Sequence, residues 1–432
     1  MSNYDVIIVG GGLAGLICAR DILKSGLSVL LLEASSRIGG RCLTVDGEDL
    51  GAEWVQPNVH PELMKEFQDA GISILSEDSD DAVPELSTTS GSTTFLLLQN
   101  IIAGIDTDAT RLTRDTLFSE SIADLDNISF EAYLRTRYDA TNEQVNAIEA
   151  LVFPFIGCRA DQISALYIIR EACQFGGFTA MIHEREARVE GGMAALPHFL
   201  ALQINSGGDG GGDVKAIQYN SIVTKVRSDD DQISVSFTQK TTATTTNDDD
   251  DEVFSRVVIV AVPFNVLHRI EFMPPLSDEI CNASKLGHAC HPTKVWKNRD
   301  DDKDVARLLV QSRLSLSYTG HGVLAVTREC VIEMGEMEKV ATTKTTAMTS
   351  TTTITSSHNW TLDPLFGGAW LAPRPSQHAT LESLRTGICL GGRVLFAGGD
   401  IASRWPGWME GAVVSGTAVA IQAIKVCRER EG

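Results

Sequence analysis

Residues 4–42 read YDVIIVGGGLAGLICARDILKSGLSVLLLEASSRIGGRC, and this stretch decides the fold. DVIIVG (5–10) is a short, apolar, β-branched run of the kind that forms a buried parallel strand. LAGLICARDILKSG (13–26) has helical periodicity and a stop at Gly26. LSVLLLE (27–33) is a second buried strand that ends in Glu33. Gly10, Gly12 and Gly15 stand in the turn between the first strand and the helix, with GxGxxG spacing inside one βαβ unit. The first glycine permits the tight turn, the second lets backbone approach a pyrophosphate, and the third lets helix and strand pack closely. The helix start at Leu13 and Ala14 offers unpaired N–H groups and a positive dipole end to phosphates. Glu33 can accept from ribose hydroxyls and would repel a 2′-phosphate. The stretch therefore predicts a dinucleotide site.

The rest of the chain bounds what surrounds that site. At 432 residues, more than one domain is expected. The charge balance is 36 basic against 57 acidic residues, a net of -21, which repels nucleic acid and anionic membranes. Nine scattered cysteines without a CxxC pair fit a reducing compartment. The first strand begins at residue 4 or 5, and no run approaches the ~18 apolar residues of a membrane span. A cytoplasmic protein without a membrane span is the expectation. Three stretches, 206–213, 241–252 and 341–357, are rich in glycine, aspartate or threonine and read as mobile loops.

Beyond Glu33 the chain resembles the flavin-dependent amine oxidase family. The residues that carry the resemblance are EASSRIGGR (33–41), DLGAEWVQP (49–57), RVEGGMAALPHFLA (188–201), SRVVIVAVPFNVLHRIEFMPPL (255–276), HNWTLDPLFGGAW (358–370) and FAGGDIASRWPGWMEGAVVSG (396–416). The resemblance covers about half the chain; residues 80–185 and 300–357 match poorly. It implies FAD. Ala34, Gly39 and Gly40 would pass close to the cofactor, with Arg41 and Arg37 on the pyrophosphate. Ala52, Glu53 and Trp54 would run along the flavin ring, Val226 would contact adenine through its backbone, and Pro263 would mark the Val-Pro turn. Trp360 would lie over the flavin. Gly399 and Asp400 would hold the ribityl chain, where many relatives carry glutamate directly after FAG. Gly407, Trp408, Met409 and Ala412 would form the helix start at the flavin pyrimidine edge.

The resemblance also assigns chemistry. In GHACHPTKVW (287–296), Lys294 falls on the family lysine that holds a water against flavin N5. His288, Cys290 and His291 could suggest a metal, but no second ligand pair at zinc spacing accompanies them, so no metal is expected. Trp370 and Trp408 match the two aromatic residues that flank a substrate amine. Trp54 matches a third, and Gln56 could reach the same pocket. Ala369 stands where some relatives attach FAD through cysteine, so the flavin is expected to be non-covalent.

The expected fold is α/β (α+β overall): a Rossmann-like FAD-binding domain of the glutathione-reductase type with a discontinuous substrate-binding domain. The FAD domain is expected from 1–85, 187–270 and 385–432, and the substrate domain from 86–186 and 271–384. The implied activity is hydride transfer from the carbon beside an amine to flavin N5, giving imine and, with O2, hydrogen peroxide. The partners are then a small-molecule substrate and O2, with a homo-oligomer possible. Two other readings remain at this point. One is an oxidase or desaturase of specialised metabolism acting on a C–C or C–N bond. The other is an escort-type binding protein on the same fold.

Overall fold

The computed structural model describes residues 3–76, 93–112, 124–183, 187–206, 216–229, 232–239, 251–291, 293–297, 318–319, 322–323, 354–386 and 391–429. Its centre is an eight-stranded sheet. The strands are β1 (Asn3–Val9), β2 (Val29–Leu32), β3 (Ile217–Gln218), β4 (Ser221–Ser228), β5 (Ile233–Gln239), β6 (Asp251–Val260), β7 (Glu271–Met273) and β8 (Val394–Phe396). They run in the order β7-β4-β5-β6-β1-β2-β3, with β8 beside β6. β1 pairs in parallel with β2 (Val6↔Val29) and with β6 (Val6↔Val257). β6 is long enough for two partners on its other side. Its first half takes β5 antiparallel (Val253↔Val235) and its last three residues take β8 in parallel (Val258↔Val394).

The apolar run of β1 is continuous because both of its faces are covered. Ile7 and Val9 belong to one core cluster, and Val6 and Ile8 to another on the opposite side. The second cluster is roofed by α1 (Leu13–Lys24), the helix from 195 to 206, and the last helix, Met409–Glu429. The last helix lies against α1 closely enough that a Cβ on Gly416 would stand 2.7 Å from the carbonyl oxygen of Ala14.

By length and composition this last helix could cross a membrane, which corrects the expectation that no segment qualifies. Half of its apolar window is buried inside the structure, where Val413, Ala420, Ala423 and Cys427 join the core. A helix packed among sheet and helices needs the same apolar content as one packed among lipids.

The helical middle is present as helices at 130–138, 142–156, α2 (Ala165–Gln174) and 178–183. All three expected loops overlap ordered elements at one end. Asp251 and Glu252 open β6, opposite Phe237 and Ser236. Residues 354–357 belong to the strand Ile354–Asn359, paired antiparallel with Thr293–Lys297. Threonine and isoleucine are β-branched and suit extended backbone, so a threonine-rich composition did not exclude a strand there. Ser206 closes the helix 195–206. The remainder of the three stretches lies outside the described residues.

Candidate active site

A cavity of about 520 Å³ runs along the carboxyl ends of β1, β2 and β6 and on to a wall of aromatic rings. The end beside α1 is built mostly from backbone. Gly10 has φ +106, and a Cβ on it would stand 2.7 Å from the Ala261 carbonyl oxygen, so only glycine lets β1 turn beside β6. A Cβ on Gly15 would overlap the carbonyl of Gly10, so this glycine packs helix on strand and does not line the cavity. Gly12 is different. It lines the cavity, and a Cβ there would meet nothing within 4 Å.

The start of α1 is capped by no side chain and has no acidic residue in its first turn. Leu13 and Ala14 line the cavity, so the first-turn N–H groups are available to an anion. Glu33 stands at the end of β2. Its Oε2 accepts from Gly11 N at 2.6 Å and its Oε1 from Ser35 N at 2.8 Å, which fixes the carboxylate at the cavity edge. Ala34, Gly39 and Gly40 line the cavity beside it. An open glycine, an uncapped helix start and a fixed carboxylate at the distance of one βαβ turn fit a dinucleotide.

Arg41 lines the cavity too, but its guanidinium is already engaged. Nη1 donates to Asp400 Oδ1 at 2.8 Å and to the Ala369 carbonyl. Asp400 Oδ2 accepts from Phe264 N at 3.1 Å. Burial would raise the Asp400 carboxyl, but Arg41, His288 and the Phe264 N–H more than offset it, and its pKa lies below the usual carboxylate value. A charged Asp400 is therefore fixed beside Gly399, with Pro263, Gly407, Met409 and Ala412 lining the same stretch of cavity.

Three further expected site residues do not line the cavity. Arg37 does not line the cavity. Its guanidinium donates to the carbonyls of Gly40 (2.7 Å), Ile38 (3.3 Å) and Cys42 (3.3 Å), so it braces the glycine loop from behind. Val226 is buried in the core, and Val223 lines the cavity in its place. Ser221 and Ile222, beside Val223 on β4, line it as well. Gln56 is fully buried and does not line the cavity; among the described residues neither polar atom of its side-chain amide has a hydrogen-bond partner.

The far end of the cavity is built from side chains. Ala52, Glu53, Trp54, Phe155, Tyr167, Trp360, Phe366, Trp370 and Trp408 line it. Glu53 is paired with Arg188 at 2.7 Å, and the Arg188 guanidinium lies 4.7 Å from the centre of the Trp54 ring. Trp360 donates through Nε1 to Leu50 O at 2.9 Å. Trp370 donates to Phe155 O at 2.8 Å, and Trp408 donates to Glu171 Oε2 at 2.6 Å. Each of these indoles thus spends its only donor on the protein and leaves carbon to the cavity. Trp370 also depends on Gly157, where a Cβ would come within 2.9 Å of its ring.

Sequence reasoning missed Phe155, Tyr167 and Glu171. The signal was in ALYIIREACQ (165–174), an apolar helical run in which Tyr167 and Glu171, four residues apart, share one face. A lone carboxylate on a buried face marks a site more often than a core.

His288 and Cys290 are buried, and His291 is half-buried. Burial lowers His288 to about 3, so it is neutral, and its Nδ1 accepts from Cys290 N at 3.3 Å. Among the described residues no three histidine, cysteine or acidic side chains gather as metal ligands. Lys294 lies on the strand 293–297, opposite His358. Its side chain lies outside the described residues.

A dinucleotide cradle that opens onto an aromatic wall fits a flavoprotein oxidoreductase. The family model for flavin-containing amine oxidoreductases matches residues 13–298 and 333–424, and the chain belongs to that family. FAD is its cofactor, and the protein is an FAD-dependent amine oxidoreductase. The chain is 25 % identical to pseudooxynicotine dehydrogenase from Pseudomonas sp, over 97 % of this chain and 86 % of that one. It is 24 % identical to (S)-6-hydroxynicotine oxidase from Paenarthrobacter nicotinovorans, over 95 % and 97 %. Among solved structures, wild-type putrescine oxidase bound to putrescine superposes with a TM-score of 0.72 at 21 % identity, covering 98 % of this chain and 99 % of that one. Cyclohexylamine oxidase from Brevibacterium oxydans IH-35A gives 0.71 at 18 % identity, with both chains fully covered.

Proposed function

We propose that this chain oxidises a small amine at the carbon beside nitrogen, using O2 and releasing hydrogen peroxide. The observation that carries the reading is the single cavity that joins the Gly12 cradle to the ring wall of Trp54, Trp370 and Trp408. When bound, FAD supplies the hydride acceptor for the C–H bond and returns the electrons to O2. The chain's residues do the rest. Gly10, Gly12, Leu13, Ala14, Glu33 and Asp400 fix the cofactor's position. Trp370 and Trp408 hold the amine between ring faces and exclude water, so that it reacts in its neutral form. The imine product then leaves for hydrolysis. By the family resemblance, Lys294 would hold a water and bring a positive charge to the flavin; its strand position lies opposite His358.

The flavin is held without a covalent bond. Ala369 carries no nucleophile, and the cavity cysteine, Cys42, has its thiol pushed up to about 12 by burial and by Asp49, which leaves it protonated. The reading also keeps the expected domain limits and a cytoplasmic protein, with a homo-oligomer as a further expectation. It assigns the protein to specialised metabolism. Relatives named for pseudooxynicotine, (S)-6-hydroxynicotine and putrescine support an amine as the substrate. The test is a panel of monoamines, diamines and amino acids mixed anaerobically with the yellow holoenzyme. At least one amine is expected to bleach the flavin and, in air, to yield peroxide in equal amount. A panel in which no amine bleaches it would favour a non-amine C–C or C–N substrate.

A further inference from the structure

The tryptophans at 370 and 408 are held by unlike partners. Trp370 donates to a neutral backbone carbonyl, that of Phe155. Trp408 donates at 2.6 Å to the carboxylate of Glu171. Glu171 lies on α2, is only 2 % exposed, and takes a second hydrogen bond at 2.8 Å from Gln174 Nε2. Among the described residues it makes no ion pair. Arg170, its neighbour on α2, instead sends Nη2 to the Ser403 carbonyl at 2.7 Å and Nη1 towards His378. Tyr167, one turn earlier, donates to the Pro406 carbonyl at 3.2 Å. From the other side His60 lies 5.2 Å from the Trp408 ring, and burial lowers it to about 3, so it brings no charge.

A buried carboxylate without an ion pair is costly. Two donors, Trp408 Nε1 and Gln174 Nε2, converge on the two oxygens of Glu171, and Gln174 Oε1 is itself held by Trp405 N, so a glutamine would turn its NH2 against one of them and only a carboxylate accepts from both. We infer that Glu171 is a positioning residue for Trp408: its carboxylate fixes the indole and adds negative charge to the ring that faces the cavity, so that the ring attracts a cationic amine. The inference rests on Trp408 being part of the amine-facing wall. The effect is electrostatic. An N–H held by a carboxylate is more polarised than one held by an amide, and a more electron-rich ring face attracts a cation more strongly. Burial pushes Glu171 up to about 7, against the pull of Trp408, Arg170 and Gln174. The charge behind the ring is therefore lost as pH falls below 7.

The test uses the FAD-loaded enzyme and two probes of one shape: benzyltrimethylammonium, permanently charged, and neopentylbenzene, its uncharged carbon analogue. Both are measured as competitive inhibitors and by their perturbation of the flavin spectrum. Glu171→Gln is expected to weaken the cation about tenfold at pH 8 and by less than about twofold at pH 5.5, which corresponds to about 1.4 kcal/mol at the higher pH. The neutral probe should change less than about twofold at either pH. In a Trp408→Phe background the effect of Glu171→Gln on the cation should fall below about threefold, because the ring that relays the charge no longer has an N–H. Equal loss for both probes would overturn the inference, as would an undiminished effect in the Trp408→Phe background. Should Glu171→Gln fail to load FAD, the unchanged protein still decides. Its affinity for the cation must rise several-fold through pH 7 while the neutral probe stays flat, and a flat cation profile sinks the proposal. Trp408→Phe alone separates the two levels. If that variant binds and oxidises amines normally, it is the amine wall that fails, not merely its charge.

Discussion

The two ends of the cavity are built in opposite ways. The cradle end is backbone: Gly10, Gly12 and Gly15 in one turn, closed by Glu33 on the next strand. The wall end is side chain: Trp54, Phe155, Tyr167, Trp370 and Trp408, brought together from four remote segments. The cradle needs small residues at fixed short spacing, whereas the wall needs only large rings at one place in space. Damage at the first end should be all-or-none, and at the second graded.

The sharpest break lies within the cradle. Gly15→Ala places a methyl into the Gly10 carbonyl and should prevent α1 from seating, giving little soluble protein and no bound flavin. Gly12→Ala should fold, because a Cβ there meets nothing within 4 Å and φ of -73° suits alanine. It should nevertheless lose most of its FAD, because the methyl occupies the space of the pyrophosphate. Flavin absorbance per chain, beside the thermal midpoint of the flavin-free protein, separates the two. Equal behaviour of the two variants would contradict the assignment of the open glycine.

At the wall, Trp408→Phe should keep its flavin and lower kcat/KM for an amine about ten- to a hundredfold, a loss of about 1.4–2.7 kcal/mol of transition-state stabilisation. Lys294→Met should slow flavin reduction or reoxidation by at least about tenfold in stopped-flow measurements, the scale expected when one fixed charge is removed from a reacting centre. Unchanged rates would take the lysine out of the mechanism.

A separate effect concerns stability rather than catalysis. Glu171 has a folded pKa of about 7 against 4.5 for a free glutamate, so the folded state holds its proton more tightly. The sign follows: its contribution is intact below pH 4.5 and is lost as pH rises through 7. The loss reaches roughly 3 kcal/mol above pH 8. Between pH 5 and pH 8 the melting temperature of Glu171→Gln should therefore rise relative to the parent's. A gap independent of pH would mean that Glu171 carries the same charge folded and unfolded.

The contrast also explains what could be read from the chain. β1, α1, β2 and the cradle were legible in 4–42 because a tight turn restricts residue type at every step. FAGGD and GWMEG were read through the family resemblance, and Gly399, Asp400, Gly407, Trp408 and Met409 line the cavity. Arg37 and Arg41 show the limit. Both stand beside the same glycines, but one donates backward to three carbonyls and the other forward to Asp400, a difference made by folding rather than by spacing. The resemblance pointed to Val226, whereas Ser221, Ile222 and Val223 on the same strand line the cavity. Phe155, Tyr167 and Glu171 lie in helices of ordinary composition. Their convergence on Trp408 depends on how α2 packs against the start of the last helix.

The central claim is that one cavity brings an amine's carbon to the flavin, and one measurement tests it directly. The holoenzyme is mixed without oxygen with the best amine of the panel, once with hydrogen and once with deuterium on the carbon beside nitrogen. The account predicts complete bleaching of the flavin, slowed several-fold by deuterium. Bleaching by dithionite but by no amine, or bleaching indifferent to deuterium at that carbon, would contradict it.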